Sequence, residues 1–197
     1  MSLTSPSCLM NLENCKNKLE SAGVVFEPGL SNLELNAVEV CFKFQFPPDL
    51  RDFLQFSLPV NNGFANWRLI DDPKLQGMLD WPFEGLCFDI ENNLFWLPQW
   101  GDRPSETQAA FAIAREYVNQ APKLIPICAH RYMPAAPHAI GNPVFSVYQT
   151  DIVHYGANLE NYLHNEFFSY FSKSAFSLPA DIRYINFWSE LVELNNG

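Results

Sequence analysis

The run Leu30-Ser31-Asn32-Leu33-Glu34-Leu35 constrains this chain more tightly than any other. Ser31 and Glu34 have the spacing of a capping box, with Leu30 and Leu35 at the staple positions around it, so a helix is expected to start here. Val38 and Phe42 continue its buried face. Pro47-Pro48 cannot extend a helix but can open one, which predicts a third helix through Leu50, Phe53 and Leu54. Between the two, Phe42-Lys43-Phe44-Gln45-Phe46 alternates like a short strand or arm. Upstream, Ser5-Pro6 predicts a first helix carrying Cys8, Leu9, Leu12, Cys15, Leu19 and Ala22 as far as Gly23. Downstream, Ser105 and Gln108 form a second capping box. It predicts a helix with Ala110, Ile113, Ala114, Tyr117 and Val118 on one face, stopped by Pro122. Asn158 caps a last long helix through Leu159, Tyr162, Leu163, Phe167 and Tyr170, in which Glu166 interrupts the apolar stripe. A terminal helix begins near Phe187.

The segments between these helices read mostly as strands. Asn61-Asn62-Gly63 is a turn. Leu86-Cys87-Phe88-Asp89-Ile90 alternates, Glu91-Asn92-Asn93 turns, and Leu94-Phe95-Trp96-Leu97 returns, which predicts a hairpin. After the connection from Pro98 to Pro104 and the helix, Leu124 to Cys128 is a strand. A proline-punctuated loop crosses Met133 to Pro143, and Val144 to Tyr148 and Ile152 to Tyr155 flank Gln149-Thr150-Asp151. The expected fold class is α+β, a single mixed, mostly antiparallel sheet flanked by helices. With no internal repeat and no long polar linker, residues 1–197 are expected to form one domain.

Composition narrows the function. Twelve Lys+Arg against 22 Asp+Glu leave a net charge of −10, which disfavours phosphate backbones and anionic lipid surfaces and favours basic partners. Neither nucleic acid nor a membrane is therefore an expected partner. Five cysteines without a C-x-x-C pair suggest neither a disulfide framework nor a zinc ribbon. With no apolar run of spanning length and no early basic residue before an apolar block, the expectation is a cytoplasmic protein.

No strong catalytic motif occurs. Cys128 and His130 stand two apart at a strand end, where a thiol and a base would share a face. His130, His138, His154 and Asp151 are of metal-ligating type but lack ligand spacing. Asp89 and Glu91, on one face of the expected hairpin beside Trp96 and Trp100, have the composition of a glycan site or glycosidase pair. Arg68, Arg103 and Arg131 lie beside Trp67, Trp100 and Tyr132, the composition of interface hot spots. Each set has an ordinary alternative: a core cysteine, backbone-bonded histidines, solvated carboxylates and intramolecular stacking. Gln149, Thr150 and Asp151 also suit the satisfaction of backbone groups at a strand junction.

The run from Leu124 to Pro134, followed by GNPVFSVYQTDIVHYG from Gly141 to Gly156, resembles bacterial members of the SUKH superfamily, which is related to the yeast Smi/Knr cell-wall-assembly regulator. FPPDLRDFL (46–54), GFANWR (63–68), EGLCFDIENNLFW (84–96) and WGDRP (100–104) extend the resemblance over about residues 30–170. The chain departs from the family pattern at Cys128-Ala129, where an aromatic and a small polar residue are usual, and at His154, where tyrosine is usual. The resemblance implies an α+β domain without catalysis. Many members are thought to be immunity proteins that bind and neutralise toxins, often nucleases; others are regulatory or scaffold domains.

The expectation is therefore a non-catalytic protein-binding domain, with no cofactor and no metal, that neutralises a basic toxin. Candidate partner-binding residues are Trp67, Arg68, Asp89, Trp96, Trp100, Arg103, His130, Arg131, Tyr132 and Asp151. The alternatives are a small-molecule or glycan pocket on Asp89, Glu91, Trp96 and Trp100, with or without hydrolysis, and a regulatory or scaffold role.

Overall fold

The computed structural model describes residues 10–168 and 176–196. Helix α1 spans Leu12–Ser21 and starts where the Asn11 side chain accepts from the Asn14 N–H at 2.9 Å. The expected start at Ser5-Pro6, with Cys8 and Leu9, lies outside the described residues. Helix α2 (Asn32–Phe42) has the full capping box. The Glu34 N–H donates to Ser31 Oγ at 3.2 Å, and the Ser31 N–H donates to Glu34 Oε2 at 2.7 Å. Helix α3 spans Pro48–Phe56 with proline in its first turn. The alternating arm between them does not join a strand. Phe44 and Phe46 instead meet the Trp67 ring edge to face, with centroids 5.8 and 5.2 Å away.

Strands β1 (Phe26–Pro28) and β2 (Ser57–Pro59) form a small antiparallel ladder, too short for alternation to announce it. The main sheet is an antiparallel meander of β3 (Leu124–Cys128), β4 (Arg131–Pro134), β5 (Val144–Tyr148) and β6 (Asp151–Gly156). The chain thus continues as strand through Arg131–Pro134, half in the segment read as loop. Helices α4 (Pro73–Asn92), α5 (Thr107–Gln120), α6 (Leu159–Leu163) and α7 (Trp188–Asn196) complete an α+β fold.

Core packs on both faces of the main sheet. Ile125, Ile127, Met133 and Val144 join the residues of α1, α2, α3 and α6, whereas Leu124, Tyr132, Phe145, Val147 and Ile152 join those of α4, α5 and α7. Sequence neighbours such as Tyr132 and Met133 enter opposite cores because side chains alternate along a strand. Burial on both sides explains why β3 is a continuous apolar run. No helix among the described residues is long and apolar enough to cross a membrane.

The hairpin expected over Leu86–Leu97 does not form, because Pro73–Asn92 is one helix. Leu86 and Ile90 share strand parity, but they are also one helical turn apart, and a five-residue alternation fits both periods. Gly77, Pro82 and Gly85 depress helix propensity here, so the tertiary contacts of α4 decide its state. Glu91-Asn92-Asn93 ends the helix rather than turning a hairpin, with the Asn93 N–H donating to Asp89 O at 2.9 Å. The second expected capping box is also absent: α5 begins at Thr107 after Glu106, without a side-chain cap. The Asn158 cap is present, its side chain accepting from the Asn161 N–H at 2.8 Å. Helix α6 then widens into a π turn over His164–Phe168.

Candidate functional site

Residues Lys74, Gly77, Trp81, Glu84, Phe88 and Glu91 recur at three- and four-residue intervals along α4, and all are exposed. Trp81 is 39% exposed and Phe88 48%, so the stripe presents two large aromatic side chains to solvent. Beside it runs a groove of about 480 Å³, lined by Lys74, Gly77, Met78, Trp81, Glu84, Ala129, His130 and Tyr132. Its far wall is the β3–β4 turn, where Ala129 takes left-handed backbone with φ 49°. Gly77 adds no side chain, and a Cβ there would meet nothing within 4 Å.

Two contacts hold the groove's aromatic edge in place. The Trp81 Nε1–H donates to Val147 O at 3.1 Å, and its ring lies 6.1 Å from that of Tyr148, itself 56% exposed. The β5–β6 turn is in turn docked on α4. Gly85 lets the Gln149 backbone approach so closely that a Cβ would sit 2.7 Å from Gln149 Cα. One turn further along α4, buried Asp89 accepts from the Thr150 N–H at 2.8 Å and the Thr150 hydroxyl at 2.6 Å. The groove therefore offers an apolar shelf with positioned aromatic edges, flanked by one cation, Lys74, and one carboxylate, Glu84. Burial, with Arg131 next, lowers the pKa of His130, which keeps its imidazole neutral at pH 7.

Most of the sequence-predicted anchors serve the fold instead. Trp67 is 1% exposed, enclosed by Phe42, Phe44 and Phe46. Arg68 bonds Glu27 at 2.6 Å, Glu34 at 2.9 Å and the Pro28 carbonyl at 2.7 Å, tying β1 to the start of α2. Arg103 donates to Ile90 O at 2.6 Å, covering a carbonyl at the end of α4. Arg131 is buried, stacks 3.7 Å over the Tyr155 ring and bonds Ser146 at 2.9 Å and Glu166 at 3.2 Å. The residue that interrupts the last apolar stripe is thus the partner of a buried arginine. Trp96 donates to Gly101 O at 2.7 Å, and Trp100 is 5% exposed, with the Trp96 ring 5.0 Å away. Of the predicted set, His130 and Tyr132 line the groove, the latter 1% exposed; Asp151 stands exposed at the start of β6.

The catalytic constellations do not assemble. β3 ends at Cys128 and the chain turns at Ala129, so Cys128 joins the core on the α6 side while His130 faces α4. The Cys128 thiol donates to Asn62 O at 3.1 Å, and burial pushes its pKa up to about 11, which disfavours a thiolate. Asp89 and Glu91 share no hairpin face: one is buried against Thr150 and the other is exposed. Among the described residues no group of three or more His, Cys, Asp or Glu is placed to hold a metal. Trp81, Phe88 and Tyr148 escaped sequence reasoning. The seven-residue interval from Trp81 to Phe88 was the available signal, and it has meaning only on a helix.

Compared with family models, curated proteins and solved structures, the chain matches none of them.

Proposed function

We propose that this protein is a non-catalytic, toxin-neutralising binding domain of the SUKH kind, and that its docking face is the α4 stripe with the adjoining groove. The supporting observation is the pairing of exposed Trp81 and Tyr148 beside an apolar groove, Trp81 placed by its bond to the Val147 carbonyl and Tyr148 lying against the Trp81 ring. Positioned aromatic side chains lose little entropy on binding, which makes them effective anchors. The occupant is a basic protein. The net charge is −10, and Asp80, Glu84, Glu91 and Asp151 are exposed along α4 and the neighbouring turn, so a cationic surface is attracted and steered. The partner's active surface would be covered by contact alone, without chemistry.

The test is capture from the native lysate at low and physiological salt, identification by mass spectrometry, and titration of the purified partner against wild type, Trp81→Ala and Tyr148→Ala. A single basic protein is expected, bound near one to one, weakened by salt, inhibited on binding, and bound at least about tenfold more weakly by Trp81→Ala. A partner that binds both variants as tightly as wild type, or binds without inhibition, would overturn the proposal.

A further inference from the structure

Acidic groups outnumber basic ones in this chain, and Lys16, Arg51, Arg68 and Arg131 each pair with a carboxylate. Arg115 on α5 does not: among the described residues it has no hydrogen-bond or ion-pair partner. Its guanidinium stacks 3.3 Å above the centre of the Phe83 ring. Stacking holds the guanidinium plane and leaves its N–H edges directed away from the ring. It lines a cleft of about 250 Å³ between α4, α5 and the Phe42–Phe46 arm. Lys123 lines the same cleft and donates to Phe42 O at 2.9 Å, which leaves the rest of its ammonium donors available.

Phe42, Phe44, Leu79, Val118 and Trp188 give the cleft its apolar wall, and Gln76, Asp80 and Asn119 add polar groups to it. Trp188 is anchored from behind, its Nε1–H donating to Pro122 O at 2.7 Å. Asp80, the carboxylate in this lining, accepts from Gln76 Nε2 at 2.9 Å rather than from either cation. Two cations that have no carboxylate partner among the described residues thus line a partly apolar cleft in a protein that has acids to spare. A planar guanidinium fork matches a carboxylate with two parallel hydrogen bonds, and the apolar walls require a hydrophobic body attached to it. At about 250 Å³ the chamber lies below the ~300–1,000 Å³ of drug-sized sites, so the ligand is small.

We propose that this cleft binds a small amphipathic carboxylic acid, its carboxylate on Arg115 and Lys123 and its apolar body against Phe44, Leu79 and Trp188. The cleft is separate from the aromatic stripe, since Gln76, Leu79 and Phe83 lie on a different side of α4 from Trp81 and Phe88, with Asp80 bordering both.

The test is calorimetric titration of the full chain with 3-phenylpropionate, octanoate and 4-methylvalerate, with 3-phenylpropionamide and inorganic phosphate as comparisons. At least one acid is expected to saturate a single site, and the amide and phosphate to bind at least about tenfold more weakly. Arg115→Gln and, independently, Lys123→Gln are expected to weaken the acid by a similar factor, with only a small drop in the ligand-free melting temperature from the lost Phe83 stack or Phe42 O bond. Lys74→Gln, outside the cleft, is expected to leave binding unchanged. The proposal is overturned if no acid saturates a site at millimolar concentration, if amide or phosphate binds as well as the acid, or if both cleft variants bind like wild type.

Discussion

The hydroxyl of Tyr132 donates at 2.7 Å to the main-chain oxygen of Met78, the oxygen that an uninterrupted helix would bond from the N–H of residue 82. Residue 82 is proline and has no N–H to give. A buried carbonyl left alone costs more than an ordinary hydrogen bond gains, so the strand residue supplies what the helix lacks. Tyr132 therefore closes the break in α4, and an aromatic side chain that suggested an interface anchor acts as a splice between β4 and the helix.

Tyr132→Phe is expected to destabilise the protein by ~1–3 kcal/mol, because it keeps the ring and strands the Met78 carbonyl. Pro82→Ala restores the missing donor. In that background the loss from Tyr132→Phe is expected to shrink to well under half, a non-additivity that urea unfolding of the four proteins in a double-mutant cycle measures directly. Equal losses in the two backgrounds would show that the hydroxyl does not serve Met78.

Gly77 and Gly85 occupy the same helix with opposite constraints. A Cβ at Gly77 meets nothing, so Gly77→Ala is expected to stabilise by up to ~1 kcal/mol through helix propensity alone. At Gly85 the Cβ would sit 2.7 Å from backbone that cannot rotate away, so Gly85→Ala is expected to cost ~1–3 kcal/mol despite the same propensity gain. Thermal unfolding of the two variants decides it; similar shifts of the same sign would mean that the β5–β6 turn is not tightly docked on α4.

What could be read from the sequence depended on how local the cause was. The α2 capping box and the Asn158 cap are contacts between residues three apart, the start of α3 needs only proline's own fixed φ, and each is present, whereas the equally local Ser105/Gln108 box gives way to a start at Thr107. Helix α4 is different, because its state depends on Tyr132 at Met78, Thr150 at Asp89 and Arg103 at Ile90, all remote in sequence. The same distance hid the site. Trp81 and Phe88 form a stripe only once α4 is a helix, and Tyr148 joins Trp81 only through the docked turn. Arg68 and Arg131 were legible as unusual, but the carboxylates that engage them, Glu27, Glu34 and Glu166, lie more than thirty residues away in sequence.

The pairing of Arg68 with Glu34 sets an acid limit. The Arg68 side chain first, and the Ser31 N–H next, hold the Glu34 carboxyl down at about 2, below its usual 4.5. The unfolded chain therefore takes up this proton before the folded one. Its contribution to stability is complete above the unfolded value and is lost as pH falls from 4.5 toward 2. In Arg68→Gln the decline of stability across that window is expected to be shallower, measured as the urea midpoint against pH. A profile parallel to wild type would exclude this linkage.

His154 governs a second window, nearer neutrality. Its ring stacks on Phe145 with centroids 5.1 Å apart, and its buried Nε2 has no hydrogen-bond partner among the described residues. Burial lowers its pKa below the usual 6.5, with Glu193 opposing more weakly. The folded state thus keeps the ring neutral at a pH where the unfolded state has begun to protonate it. Stability is expected to be level with respect to this group above 6.5 and to fall as pH drops through 6.5 toward the lower folded value. His130 is lowered in the same direction, so wild type alone does not assign the effect. His154→Phe keeps an aromatic ring against Phe145 and removes both the proton site and the unpaired nitrogen. It is expected to match or exceed wild-type stability near pH ~7.5 and to lose visibly less on acidification to pH ~5.5, whereas His130→Gln retains the His154 part of the decline. If His154→Phe loses as much as wild type over that interval, the buried imidazole is not the group that titrates.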